Sequence, residues 1–457
     1  MIRLGVVADD LTGATTAAAL FARSGISAIA YRDLKSAEKA GPADAEALLL
    51  STGSRAMKAE DAYNAVSRAC TLLRGWGASR FQKRIDTTLR GSIGSEIDAM
   101  LDVLGEDCLA VVVPSMPQNH RIVVGGYSLI DGNLLARTEV RNDVRTPVNE
   151  SFIPRLLSGQ TRRPVAQLTA ECLTEGPGGV AEGLKNLYNQ GVRIVVVDAV
   201  TMDDIRMIAD ACHRLRIPVL SVDPGPFTTC LINGYAEKQH ETVSVPAEGT
   251  GTVLVAVGST TVHSRRQIDV LCKDPQTERV VIHPECFLQD GEACNAEVSR
   301  AAEEAIALLK RTPAPRAVVL DTATEASQFG TEEEQQRDDA RAANGEDPVV
   351  DNLGRILRII LSDPERVSGL AGLYVTGGDT MAAILAQLEV SCVRVHDYIV
   401  PQVDLCRIVG GALNGMVVAS KGGLVGDDQI ALLIVKKILE EAAREKFSAE
   451  EAATDAG

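Results

Sequence analysis

The sequence predicts an α/β protein built as two α/β domains with mainly parallel sheets, on three observations. Continuously apolar runs, Leu4–Ala8, Leu109–Val113, Ile194–Val197, Val253–Val257, Ala317–Leu320 and Leu373–Thr376, read as strands covered on both faces. Between them, Thr15–Ser24, Ala59–Leu73, Asp203–Arg214, Asn295–Lys310 and Ile430–Glu441 space their apolar residues as amphipathic helices do. That alternation is the signature of βα units. Third, the polar, glycine-containing stretch Asn233–Gly251 breaks the pattern just before a fresh apolar strand, as a linker would. The 457 residues suffice for two or three domains at roughly 150 each. We therefore expect one domain over residues 1–235 and a second over 251–445, with the active site in the cleft between them.

Composition narrows the function. The net charge of −16 argues against nucleic-acid and anionic-membrane partners, which need a basic surface. Aromatic residues make up only 3%, so base-stacking platforms are not expected. Ten scattered cysteines with no CxxC pair read as reduced thiols, not as a disulfide or zinc framework. The apolar run Ile2–Ala8 stops at Asp9-Asp10 and so reads as a strand rather than a signal peptide. No run approaches the ~20 apolar residues of a membrane span. A cytoplasmic location is expected.

The first candidate site is ADDLTGA, Ala8–Ala14, where a buried strand gives way to a helix. Paired carboxylates there sit at the carboxyl edge, where parallel sheets bind ligands, although Asp10 would also serve as a helix cap. A haloacid dehalogenase-type phosphatase begins in a similar way, but Ala8 stands where its nucleophilic aspartate belongs. The second is KRIDTTLRGS, Lys83–Ser92, which groups cations, a carboxylate and hydroxyls before an amphipathic helix. Arginine suits bidentate recognition of a carboxylate, and Asp86 suits polyol hydroxyls. Arg121 adds a further cation in the loop Pro114–Arg121.

The second half offers different chemistry. VGSTTVHSRRQI ending at Ile268, TGGDT at Thr376–Thr380, and SKGGLVGDD at Ser420–Asp428 place glycines at strand ends, the last beside Lys421. Bare glycine backbone lets amides approach phosphate oxygens, and a lysine adds charge. No P-loop and no GxGxxG fingerprint occurs. Nucleotide phosphates are the natural ligand for such a set.

Together, in order and spacing, these motifs resemble those of the four-carbon acid sugar kinase family along nearly the whole chain. The resemblance implies a sugar-acid-binding domain followed by a nucleotide-binding domain. It implies transfer of a phosphoryl group from ATP, with Mg2+, to the terminal hydroxyl of threonate, erythronate or 3-oxo-tetronate. Asp9, Asp10, Asp86 and Arg90 match the substrate-side motifs, with Lys83, Arg84 and Arg121 alongside. Ser259, Gly377, Gly378, Asp379, Thr380 and Gly423 match the nucleotide-side motifs, joined by Lys421. Either Asp10 or Asp86 can be the base, and the sequence identifies no metal ligand. The chain departs from the family pattern at Thr16, Arg84, Thr87-Thr88, Ser92, His120 and Leu424-Val425. Two alternatives stay open: a degenerate kinase that senses its ligand without turnover, and a ribokinase-like enzyme with Asp379 as base. The expected partners are small molecules, and a homodimer is left open.

Overall fold

Strand β1 (Leu4–Ala8) is buried at every position, as its unbroken apolar run requires. The computed structural model describes residues 2–143, 145–233, 251–258, 261–287, 291–322, 347–422 and 425–455. Most of the Asn233–Gly251 stretch and the whole of residues 330–346 lie outside them. The chain divides into two compact units, Met1–His240 and Glu241–Gly457.

In the first unit β1 is followed by β2 (Ala28–Tyr31), β3 (Ala47–Ser51), β4 (Arg80–Arg84) and β5 (Leu109–Val112). A small antiparallel sheet comes next: β6 (Arg121–Val124), β7 (Tyr127–Ile130) and β8 (Asn133–Leu134). Strands β9 (Val165–Leu168), β10 (Ile194–Val197) and β11 (Val219–Asp223) complete the unit. Its main sheet runs β2-β3-β1-β4-β11-β5-β10-β9, parallel throughout. The order dictates where a ligand fits. From β1 the chain moves outward to β2 on one side, then crosses to β4 on the other. The switch point is therefore the carboxyl edge between β1 and β4, where a crevice opens in doubly wound sheets. Valines, leucines and alanines of the strands pack against the covering helices, as Val195, Val197, Leu184 and Ile208 do in the core beneath β10.

The second unit repeats the logic with β12 (Thr252–Val257), β13 (Thr277–Val281), β14 (Ala317–Asp321), β15 (Leu370–Thr376), β16 (Cys392–Val400), β17 (Val403–Val409) and β18 (Val417–Lys421). The order β13-β14-β12-β15-β18 is parallel, and β17 and β16 extend it antiparallel. Here the chain leaves β12 for the β13 edge and later crosses to β15. The switch point lies between β12 and β15. All ten cysteines are free thiols, and among the described residues no helix is long and apolar enough to cross a membrane.

Candidate active site

At the switch point of the first unit, Asp9 and Asp10 emerge from β1 beside the end of β4, where Ala8 pairs in register with Arg84. Asp10 is extended (φ −146°) and caps the helix Leu11–Arg23, its Oδ1 accepting from the Gly13 amide at 2.7 Å. Two arginines converge on the pair. Arg84 Nη1 lies 3.2 Å from Asp9 Oδ1 and 3.4 Å from Asp10 Oδ1. Arg55 places Nε 2.7 Å from Asp9 Oδ2 and Nη1 2.6 Å from Asp10 Oδ2.

These surroundings split the carboxylates. Burial alone would raise the Asp9 carboxyl, but Arg55, Arg84 and Lys83 outweigh it and hold Asp9 below the usual range. Burial likewise opposes ionisation of Asp86, and Arg55, Arg90 and Arg84 overcome it to hold Asp86 far down. Asp10 goes the other way, raised by burial and by the negative charge of Asp9 beside it. Neighbouring carboxylates pushed apart in this manner take different roles.

The loop after β4 brings in the rest. Leu89 adopts a left-handed backbone (φ +56°), uncommon for a residue with a side chain, and donates its amide to the Asp86 carbonyl at 3.0 Å. The tight turn folds Arg90 back so that Nε lies 2.6 Å from Asp86, while Nη1 reaches Asp143 at 3.1 Å. Thr88 also donates to Asp86. Arg90 thus spends much of its fork on two carboxylates. Arg121 donates to the Asn119 carbonyl within its own turn, and its buried Nε has no partner among the described residues.

Lys83, expected among the substrate ligands, is enclosed instead. Its side chain has no exposed surface and pairs with Glu96 at 2.9 Å. Successive residues of a strand point to opposite faces, so Lys83 turns away from the side that Arg84 serves. Arg55 was not legible as a ligand, yet it touches both aspartates. Its signal lay in Ala47–Ser51, an apolar run ending in Thr-Gly-Ser-Arg, the same strand-then-polar-turn syntax as β1. Arg55 also lines a cavity of about 410 Å³ with Gly91, Ser92, Arg145, Thr146 and Gln160. A cavity of about 500 Å³ lies at the opposite, amino-terminal edge, lined by Leu4, Arg80 and Val219, and holds none of the expected ligands.

Gly13 sits in the first turn of the helix that Asp10 caps. A Cβ there would lie 1.9 Å from Arg84 Nη1, so bare backbone is what lets Arg84 pass to the aspartates. Gly13→Ala should displace that guanidinium and weaken binding of a ligand at the aspartate pair about tenfold, the loss of one charged hydrogen bond. Alanine also favours helix by up to ~1 kcal/mol, so thermal stability should not fall in step. A binding titration beside a melting curve checks both.

In the second unit, registered residues Val257, Thr376 and Lys421 line the carboxyl edge across β12, β15 and β18. Gly258 and Gly377 both face Thr380. A Cβ would approach its Oγ1 to 2.4 Å from Gly258 and 2.8 Å from Gly377, whose φ is +102°. The buried threonine occupies the space that side chains would need, so the two strand-end turns close on each other. The helix Gly378–Gln387 starts there, presenting its first amides at the edge. Lys421 is 1% exposed, and its Nζ donates to the Gly422 carbonyl at 3.0 Å. Among the described residues no carboxylate neutralises it, and burial pulls its pKa down to about 8. Gln267 Nε2 reaches the carbonyls of Val425, Gly426 and Asp427 at 3.0–3.2 Å, fastening the turn beyond the lysine. Ser259 and Gly423 lie outside the described residues, as does the side chain of Asp379.

Comparison with known proteins matches each unit to a domain family. The sugar-binding N-terminal domain matches residues 4–231, and the nucleotide-binding C-terminal domain matches residues 254–431. A D-erythronate kinase from Heliobacterium modesticaldum is 34% identical, over 98% of this chain and all of the relative. A D-threonate kinase from Bordetella bronchiseptica is 31% identical, over 96% of this chain and 98% of the relative. A Salmonella typhimurium crystal structure has the same fold, with a TM-score of 0.76 at 21% identity, covering 95% of this chain and 99% of that one. Matched along both halves and at full length, the chain belongs to the four-carbon acid sugar kinase family.

Proposed function

We propose that this protein transfers the γ-phosphoryl group of ATP to the terminal hydroxyl of a four-carbon sugar acid: erythronate, threonate or 3-oxo-tetronate. The observation that carries the reading is the division of charge between the two units. The sugar-binding domain gathers carboxylates and guanidinium groups that suit a polyhydroxy acid. The nucleotide-binding domain holds a buried lysine with no counter-charge among the described residues, set among glycine turns, and phosphate oxygens would neutralise it. Acceptor ligands belong to one domain and phosphate ligands to the other, so transfer requires both domains. The names of the relatives support the acid class.

The roles follow from the electrostatics. Asp10 is the base: its carboxyl alone of the three is raised, and it is the more open of the strand-end pair. It takes the proton as the acid's terminal oxygen attacks the γ-phosphorus. The bond from phosphorus to the ADP oxygen breaks, and the electron pair leaves with ADP. Asp9 and Asp86, held ionised, accept hydrogen bonds from the other hydroxyls. Arg55 and Arg84 orient the aspartates, and Arg90, with Arg121 as a helper, meets the acid's carboxylate. Lys421 and the helix start at Gly378 hold the phosphates, where phosphoryl transfer depends on positioning and charge neutralisation. Among the described residues no group of three or more His, Cys, Asp or Glu side chains is placed to cage a metal. A Mg2+ arriving on the nucleotide would supply charge neutralisation at the phosphates.

Purified protein with ATP and Mg2+ should release ADP only when one of these acids is present. Screening D- and L-threonate, D-erythronate and the 3-oxo acids in a coupled assay identifies the substrate, and 31P NMR of the product locates the ester. Acid-dependent heat of binding without ADP release would make the protein a sensor instead.

A further inference from the structure

Beneath the aspartate pair lies a buried ion pair that the reaction itself does not use. Lys83 Nζ and Glu96 Oε2 are 2.9 Å apart, with side-chain exposures of 0% and 1%. Both ends are otherwise satisfied. Lys83 Nζ also donates to the carbonyl of Arg84 at 2.8 Å, and Glu96 Oε1 accepts from Ser54 Oγ at 2.5 Å. Ser54 Oγ lies 2.8 Å from Thr52 Oγ1, which donates to the Ala8 carbonyl at 2.9 Å. Ser54 is fully buried and opens the short turn Ser54–Ala56, entered through a left-handed Gly53 (φ +65°).

Burying two charges is expensive, and an apolar pair of the same volume would hold the layers together at least as well. What an apolar pair cannot do is fix two backbone segments by hydrogen bonds. Here the lysine end grips the peptide of Arg84, and the glutamate end grips the residue before Arg55. Those two arginines come from different strand ends and meet on the same pair of aspartates. We infer that Glu96, acting through Ser54, and Lys83, acting through the Arg84 carbonyl, are positioning residues that set Arg55 and Arg84 on Asp9 and Asp10. Neither touches the substrate. The kinetic part of this inference rests on the kinase reading above.

Ser54→Ala tests it without stranding a charge, since Lys83 and Glu96 stay paired. The KM for the acid should rise about ten- to a hundredfold, as misplacement of a site group does, while the KM for ATP stays within about twofold. The double variant Lys83→Met/Glu96→Leu removes both charges together and should show the same split even if its melting point is unchanged. A substrate-free readout separates this idea from the assigned function. The Arg55 Nε–H signal, identified by its absence in Arg55→Lys, should be sharp and protected from exchange in the wild type, and broadened in Ser54→Ala. Broadening with altered acid KM supports the inference. Broadening in Ser54→Ala, where the wild type gives a sharp signal but releases no ADP, would still support it while sinking the kinase reading. A wild-type Arg55 signal in Ser54→Ala, or unchanged acid KM in both variants beside an active enzyme, overturns it.

Discussion

Replacing Asp10 by asparagine should lower kcat at least about a hundredfold, the usual contribution of a general base, and leave the KM for ATP unaltered. Asparagine caps a helix as well as aspartate does, so the bond to the Gly13 amide survives, but its amide nitrogen then faces Arg55 Nη1 where Oδ2 stood. A melting curve and the KM for ATP, read beside kcat, separate loss of the base from loss of folding. Asp86→Asn should differ in kind. Its carboxyl is held far below neutrality by Arg55, Arg90 and Arg84, which makes it a poor proton acceptor but a firm hydrogen-bond acceptor. It should mainly raise the acid KM, because a ligand lost equally from ground and transition states leaves kcat alone. The pH profile supplies an independent check. Asp10 has to be ionised to accept a proton, and its pKa lies above the ordinary carboxylate value, so wild-type kcat should fall as pH drops through that raised value. The variant should lose this acid limb. Should both variants turn over acid at the wild-type rate, the acceptor site is not at this switch point.

What could be read in advance was the chemistry that lies along the chain. ADDLTGA and KRIDTTLRGS announce themselves because acidic, hydroxyl and basic residues follow a strand and precede a helix, a syntax that needs no tertiary knowledge. What could not be read depends on sheet order. Arg55 matters only once β3 lies beside β1, because along the chain it stands 45 residues after Asp10 and 29 before Arg84. Glu96 sits on an amphipathic helix where a glutamate reads as solvent-facing, and only packing reveals it against Lys83. β4 itself, Arg-Phe-Gln-Lys-Arg, has no apolar run to mark it, yet Phe81–Arg84 are buried between two parallel neighbours. Period-two alternation would already have separated Lys83 from Arg84, two adjacent residues that cannot both serve one face. The nucleotide side was legible as glycine turns, but not the reason for them. Gly258 and Gly377 are bare because a single threonine, Thr380, packs against both.

Lys421→Met should raise the KM for ATP about ten- to a hundredfold and, in the same protein, raise the melting temperature of the ligand-free state. The two effects share a cause. A buried ammonium with no carboxylate beside it among the described residues costs the apo protein stability, and burial has already pulled its pKa from 10.5 down to about 8. A charged hydrogen bond to a phosphate oxygen, worth roughly 1.5–3 kcal/mol, offsets that cost only when nucleotide is bound. Methionine fills nearly the same volume with no charge, so the cost and the benefit vanish together. The sign of the pH dependence follows. Because the folded-state pKa lies below the unfolded one, the unfolded chain binds more protons between about pH 8 and 10.5, and apo stability contributed by this residue rises across that window. Nucleotide affinity moves oppositely, weakening as pH climbs through 8 and the lysine loses its proton. Scanning calorimetry of the apo protein and calorimetric titration of ATP from pH 7 to 10 read the two slopes, and Lys421→Met should flatten both. A variant that binds ATP as the wild type does, with its pH slope intact, would move the phosphates away from β18 and leave the buried charge without a ligand to explain it.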